Sequence, residues 1–499
     1  MGYPELMITV QNDRSVKAER QHDKAEAKGQ MDRDDLRLAM IGIFQDWLNQ
    51  NKISTTEELE LLGRLLYRVL FTGVDGKVDL FFKRVLSEVP EGERLRVQLR
   101  FDEEVADLAS LPWEFLFDTD MKDFFATRVD LVLSRYVPSG AGRESLGPEK
   151  GPLRILIVVS RPENLKPVAA DEVIDTIKNL AEKNPGRIKI DILDKPTILN
   201  FLEKLEDKDN KPHVLHFIGH GQYNKAKRKG EIALLNPDGK DAYWCEDKDF
   251  AKFFIRTGTI PRLVFLHLCE GAVVEKAELI ANFAGIAPQL ILTKIQAVVA
   301  MQYPITNAAA QTFCRAFYGE LAKGATVDQA VQEGRYRITF FDPRARGTRV
   351  FGTPVLYMHS YDGIIMPTEE ATSKEGADQS KGSGDVSKQA AYSEERKPEQ
   401  GKQQPDLSTD KKVTEEGGSS MLRVRTVVEA GGKKLKEINL DREQMEEMYK
   451  KIYISILNEL VGKKPDEMKE ILIRYWTAES NPQLKSVIWE MIDAIGKIA

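Results

Sequence analysis

The sequence predicts an α/β fold, and three observations carry that prediction. From Leu153 onward, short apolar runs rich in Val, Ile and Leu alternate with stretches of helical periodicity. Two of the runs, VLHFIG (Val214 to Gly219) and LVFLHL (Leu263 to Leu268), are almost continuously apolar, as strands of a largely parallel sheet covered on both faces are. Each of these two runs then enters a turn of small and polar residues. In such sheets ligand chemistry sits at the C-terminal ends of the strands.

The elements follow in order. Leu36 to Leu48 and Glu57 to Phe71 place apolar residues at helical spacing, and Leu95 to Phe101 alternates like a half-buried strand. LPWEFLF (Leu111 to Phe117) is a compact apolar block, and Val129 to Tyr136 reads as a strand. Pro138 to Gly151, rich in Gly, Pro and charge, reads as a connection. The α/β region then gives strands at Arg154 to Ser160, Ile188 to Ile192, Val214 to Gly219, Leu263 to Leu268, Ala297 to Gln302 and Thr353 to Met358. Glu231 to Lys240 resembles a hairpin. Helices are expected at Asp171 to Lys183, Thr197 to Leu205, Asp247 to Ile255, Asn307 to Leu321 and Thr326 to Arg337.

The domains expected are a flexible N-terminus (1–32), an α+β N-terminal region (33–150) and an α/β core (151–366). Pro367 to Ser420 holds almost no large apolar residue, cannot bury enough surface to offset its ordering entropy, and reads as a disordered linker. Residues 421–499 read as a small, mostly helical module. It opens with a hairpin-like Leu422 to Leu440, continues with an amphipathic helix over Asp441 to Val461, and ends with a helix beginning at Asn481-Pro482.

Bulk properties narrow the function. The 499 residues are 42% hydrophobic and 30% charged, with a net charge of −6, which gives no general attraction to nucleic acid or anionic membrane. No apolar run approaches the roughly 20 residues a membrane helix needs, and Met1 to Met31 lacks a signal-peptide core. A cytoplasmic protein is expected. Its three cysteines, Cys245, Cys269 and Cys314, form no disulfide framework. In a reducing compartment a free thiol can instead do chemistry once something makes it a thiolate.

Two segments carry that chemistry: HVLHFIGHG (His213 to Gly221) and RLVFLHLCEGA (Arg262 to Ala272). Each delivers a reactive side chain, His220 or Cys269, from the end of a strand. The two lie 49 positions apart. A thiol of pKa about 8.5 is only a few per cent ionised at neutral pH, and an adjacent imidazole can take its proton and return one to a leaving amine. Gly221 offers an N–H unobstructed by a side chain; with the Cys269 N–H it is the candidate oxyanion hole.

On these elements the sequence resembles the CHAT family, relatives of caspases and separase, whose His and Cys have about this spacing. The resemblance rests on LPWEFLF, HFIGHG, LVFLHLCEG, AVVAMQYPITNAAAQTFCRAFYGELAKG and TPVLYM, and covers most of residues 33–359. It implies a caspase-like αβα sandwich and metal-free peptide-bond hydrolysis by His220 and Cys269, without cofactor. It also implies bacterial defence or cell-death circuits, in which a sensor or adaptor activates cleavage of a protein substrate. Here residues 421–499 are the expected docking module for that partner.

Other readings compete at several positions. Cys245 and Cys314 read as packing. His213, His216 and His220 have a spacing that suits a helical metal site, but they sit on a strand and turn, so His216 reads as a core residue or one that backs the site from behind. Trp113 reads as core, and the basic run Lys225 to Lys229 as a solvated loop. The same segments could also serve a non-catalytic scaffold, a role that needs neither His220 nor Cys269. For specificity, His267 lies two residues before Cys269 on the same face of its strand, and is assigned with Arg161 to substrate binding. A neutral or acidic residue is then expected before the scissile bond.

Overall fold

The computed structural model describes residues 4–32, 35–53, 55–138, 151–224, 226–227, 229–268, 286–341, 345, 347–359, 363–365, 424–430, 433–440 and 465–478. By its internal contacts the chain divides into two units, residues 1–369 with 456–499, and residues 370–455. In the second unit the described residues form a hairpin of Val424–Ala430 and Lys433–Leu440, where one was expected. The expected linker and the expected helices over Asp441 to Val461 and from Asn481 lie outside the described residues. The helix Pro465–Ala478 groups with the larger unit, whereas residues 421–499 were expected to form one module.

The larger unit is built on a sheet of eleven strands. In chain order they are β1 (Glu5–Val10), β2 (Ser15–Arg20), β3 (Glu26–Gln30), β4 (Leu95–Phe101), β7 (Leu131–Tyr136), β8 (Leu153–Val159), β9 (Ile188–Asp194), β10 (Val214–Gly219), β14 (Leu263–Leu268), β15 (Ala297–Met301) and β16 (Pro354–Met358). Their order across the sheet is β3-β2-β1-β4-β7-β16-β15-β14-β10-β8-β9. Two-residue strands β5 (Phe117–Asp118) and β6 (Asp123–Phe124) pair with each other. Strands β11 (Gly221–Asn224), β12 (Lys229–Leu235) and β13 (Ala242–Glu246) form a separate antiparallel sheet.

The expectation of a largely parallel sheet holds within two blocks and fails at the seam between them and at the β1-β2-β3 edge, where β2 runs antiparallel to both neighbours. β15, β14, β10, β8 and β9 run parallel, and so do β1, β4, β7 and β16. The two blocks meet antiparallel at β15 and β16, which are joined through the helices Asn307–Ala322 and Val327–Phe341. Residues 33–150 and 151–366, expected as two parts, therefore share one sheet.

The expected flexible N-terminus needs correction. Residues 5–30 are β1 to β3, with Leu6, Ile8, Val10, Val16 and Ala18 buried. In β2, SVKAER, the buried side chains alternate with Lys and Glu. The segment is polar in composition yet has the period of a one-sided strand.

Helices cover both faces of the core half. Phe217 faces Phe250, which packs on Phe201 of the helix Ile198–Glu206. One residue earlier in β10, His216 faces Tyr318 on the opposite side. The expected αβα sandwich follows.

LPWEFLF joins the two halves. Trp113, Phe115 and Leu116 are buried, and Trp113 donates its indole N–H to the Leu108 carbonyl at 2.8 Å. Helix Thr56–Tyr67 approaches this block through Gly63, where an added Cβ would stand 2.3 Å from the Phe115 carbonyl oxygen. Glu114 is buried and accepts from Arg135 of β7 at 2.9 Å and from Gln302, just after β15, at 3.1 Å. Arg135 also donates to the Leu111 carbonyl at 3.1 Å. Removing one member of a buried ion pair strands the other charge. Glu114→Ala should therefore lower stability by about 3–5 kcal/mol in urea denaturation. The apolar double variant Glu114→Leu/Arg135→Met should recover much of that loss, since it leaves no lone charge.

Candidate functional site

The core strands turn direction at one place. From β8 the chain steps outward to β9, then returns past β8 to β10 and continues through β14 to β15. The crevice at the C-terminal ends of β8 and β10 is thus a topological switch point, where α/β sheets bind ligands. His220 lies there, one residue beyond β10.

The turn that holds His220 is tightly fitted. An added Cβ on Gly219 would stand 2.9 Å from the Phe217 ring and 3.1 Å from Ser160 Cβ. His220 is buried, and its Nε2 is 2.9 Å from the carbonyl oxygen of Lys166, in the segment after β8. A carbonyl can only accept, so Nε2 carries the hydrogen and Nδ1 keeps the lone pair. Burial lowers the His220 pKa below the ordinary 6.5, and the Lys166 carbonyl opposes that only in part. The ring is a neutral base at pH 7.

Gly221 opens β11 opposite Ile232. The Ala233 N–H donates to the His220 carbonyl at 3.0 Å, so His220 and Ala233 occupy a hydrogen-bonded position of the antiparallel ladder. Such positions alternate, which turns the Gly221 N–H away from β12. Beside it, Glu231 is buried and accepts from Gln222 at 2.7 Å and from Lys227 at 3.0 Å. Burial would raise its pKa, but these donors outweigh burial and lower it.

β14 lies next to β10 in parallel register, with Gly219 opposite Leu268. Cys269, the expected nucleophile, lies outside the described residues and follows Leu268 in the chain. The other two cysteines are buried, and burial pushes the Cys245 thiol up to about 12, far from a thiolate at neutral pH.

The two residues assigned to substrate binding have different surroundings. His267 is in the core, its Nδ1 3.3 Å from His216 Nε2 and its ring stacked near Phe265. The strand alternation that aligned it with Cys269 also turns it inward, beneath the helix Asn307–Ala322. Arg161 sits at the switch point, ion-paired with Asp194 at 3.3 Å and with Asp171. Its charge is thus met by two carboxylates. Sequence reasoning missed Lys166, because a backbone carbonyl leaves no signature in residue type.

Burial lowers the pKa of His216 well below its ordinary value and that of His267 to about 4. The unfolded chain binds these protons near pH 6.5, whereas the folded chain refuses them until lower pH. Stability is therefore full above about pH 6.5 and falls as the pH drops below it. Denaturation midpoints at pH 7.5 and pH 5.0 should differ in that direction, and the His220 ring should titrate by NMR with a midpoint below 6.5.

Among the described residues no helix is long and apolar enough to cross a membrane. A search of curated proteins found no match. Among solved structures, the chain is similar to separase in two crystal structures of the Saccharomyces cerevisiae separase–securin complex, at 14% and 13% identity with TM-scores of 0.32 and 0.30. The matches cover 66% of this chain and 22% and 23% of those chains, so the chain spans less than a quarter of the separase chains it matches. The CHAT domain model matches residues 60–345, more than half of the sequence. With the strand-borne His-Gly turn set in the sheet the motifs led one to expect, the chain belongs to the CHAT domain family.

Proposed function

We propose that this protein is a regulated cysteine endopeptidase, with His220 as general base and Cys269 as nucleophile. The observation that carries the reading is the register of Gly219 against Leu268. His220 and Cys269 are the next residues of two strands that lie side by side, about 4.8 Å apart. In the reaction, His220 Nδ1 takes the thiol proton while Nε2–H stays bonded to Lys166. The sulfur attacks the scissile carbonyl carbon, forming a C–S bond, and the oxyanion accepts from the N–H groups of Gly221 and Cys269. His220 returns the proton to the nitrogen as the C–N bond breaks. Water, deprotonated by the same ring, then hydrolyses the thioester. No metal or cofactor enters these steps.

The substrate in this reading is a protein, in a defence or cell-death setting, and an activating sensor or adaptor engages residues 421–499. The depressed pKa of His220 keeps its base form available in mildly acidic solution. In a peptide-library assay, Cys269→Ala should abolish cleavage and His220→Ala should lower kcat/KM by about 10²- to 10⁴-fold. Cys245→Ala should cleave normally. The acid limb of the pH profile should fall below pH 6.5. Full activity in Cys269→Ala would refute the mechanism; a folded wild-type chain whose Cys269 resists iodoacetamide would favour a scaffold.

A further inference from the structure

In the parallel pair β10 and β14, His216 stands opposite Phe265 and Ile218 opposite His267. Side chains alternate faces along a strand, so His216 and His267 are diagonal neighbours on one face. Helix Asn307–Ala322 covers that face, and its Cys314 and Tyr318, four residues apart, share a side. The ligand atoms of His216, His267 and Cys314 all lie within 4.8 Å of one another, and all three residues are buried. Among the described residues no other group of three or more His, Cys, Asp or Glu side chains converges in this way. The endopeptidase reaction above uses none of the three.

We propose that His216, His267 and Cys314 bind one soft or borderline transition-metal ion, Cu⁺ or Zn²⁺, in the core beneath the His220 turn. The donor set decides the class. Two imidazoles and a thiolate, with no carboxylate, select such ions over Mg²⁺ or Ca²⁺. Spacing agrees. Two nitrogens held about 2.0–2.1 Å from one metal at trigonal to tetrahedral angles are roughly 3.3–3.5 Å apart. His216 Nε2 and His267 Nδ1 are 3.3 Å apart. The outer partner is also in place, since Tyr318 Oη lies 2.9 Å from His216 Nδ1. By accepting the Nδ1 hydrogen it leaves the Nε2 lone pair facing His267, as hydrogen-bonded partners of metal-bound histidines do. Binding releases the Cys314 thiol proton to solvent as the metal–sulfur bond forms. With Cu⁺ the three ligands and the ion sum to zero charge; with Zn²⁺ a bound hydroxide at an open fourth position would restore neutrality.

The test uses the full chain carrying Cys245→Ala and Cys269→Ala, in which Cys314 is the single cysteine. Co²⁺, as a surrogate for Zn²⁺, should produce a thiolate-to-metal charge-transfer band in the near ultraviolet at one equivalent, and Zn²⁺ should displace it. In a separate anaerobic arm, Cu⁺ should be taken from a chromophoric chelator at one equivalent. The stronger arm identifies the ion. Adding Cys314→Ser should remove the band, Tyr318→Phe should weaken affinity by about 10- to 100-fold, and His267→Gln, which removes a ligand, by more than that, with circular dichroism unchanged. Failure of the folded parent to bind either ion more tightly than about 10 μM would overturn the proposal, whatever the variants do. So would binding that is equal with and without Cys314.

Discussion

A single buried carboxylate, Glu114, ties the two halves of the sheet together. Its oxygens accept from Arg135 on one parallel block and from Gln302 at the end of the other. A charge held away from water is tolerable only when its partners are fixed, so these three side chains demand one relative placement of β7 and β15. Between them runs β16, hydrogen-bonded to both. Other buried polar links hold the block of β4, β7 and β16 to the helix Val327–Phe341. Arg335 donates to the carbonyls of Leu133 and Pro354 at 3.1 and 2.7 Å, and Arg96 of β4 pairs with Asp328 of the helix Val327–Phe341 at 3.1 Å. An apolar interface alone would let strands slide; the Glu114 bonds tie β7 to the end of β15, against which β14, and then β10, are stacked.

The consequence reaches the crevice. β14 is fixed against β15 and β10 against β14, so the C-terminal ends of β10 and β14 lie side by side. The segment after β8 then supplies the carbonyl that sets the tautomer of His220. The His220 ring and carbonyl are thus held by backbone groups of two other segments, Lys166 and Ala233; in the proposed reaction this leaves one ring nitrogen open.

Much of this was legible in the sequence because buried strands of a parallel sheet are written as unbroken apolar runs. VLHFIG and LVFLHL coincide with β10 and β14 residue for residue. His216, read as core from its place in such a run, is buried. What escaped was of two kinds. β2 and β3 lie at the edge of the sheet and β2 has one solvated face, so Lys, Arg and Glu mask the period of Val16 and Ala18. The long-range polar links also escaped, because nothing local marks Glu114 as the partner of Arg135 or Gln302. Cys314 reads as packing in an apolar helix, and only the fold reveals two histidines beside it.

The order of strands also bears on where this domain can be cut. The family match spans residues 60–345, yet β16 (Pro354–Met358) lies beyond it and occupies the middle of the sheet, between β7 and β15. A fragment trimmed to the matched span would lose its central strand and the hairpin strands that shield β4. Its two parallel blocks would then have bare hydrogen-bonding edges facing each other across a gap, the kind of surface that recruits strands from other molecules. The unit of recognition in sequence is therefore shorter than the unit that can fold, and soluble fragments of this protein should begin before Glu5 and end after Ile365.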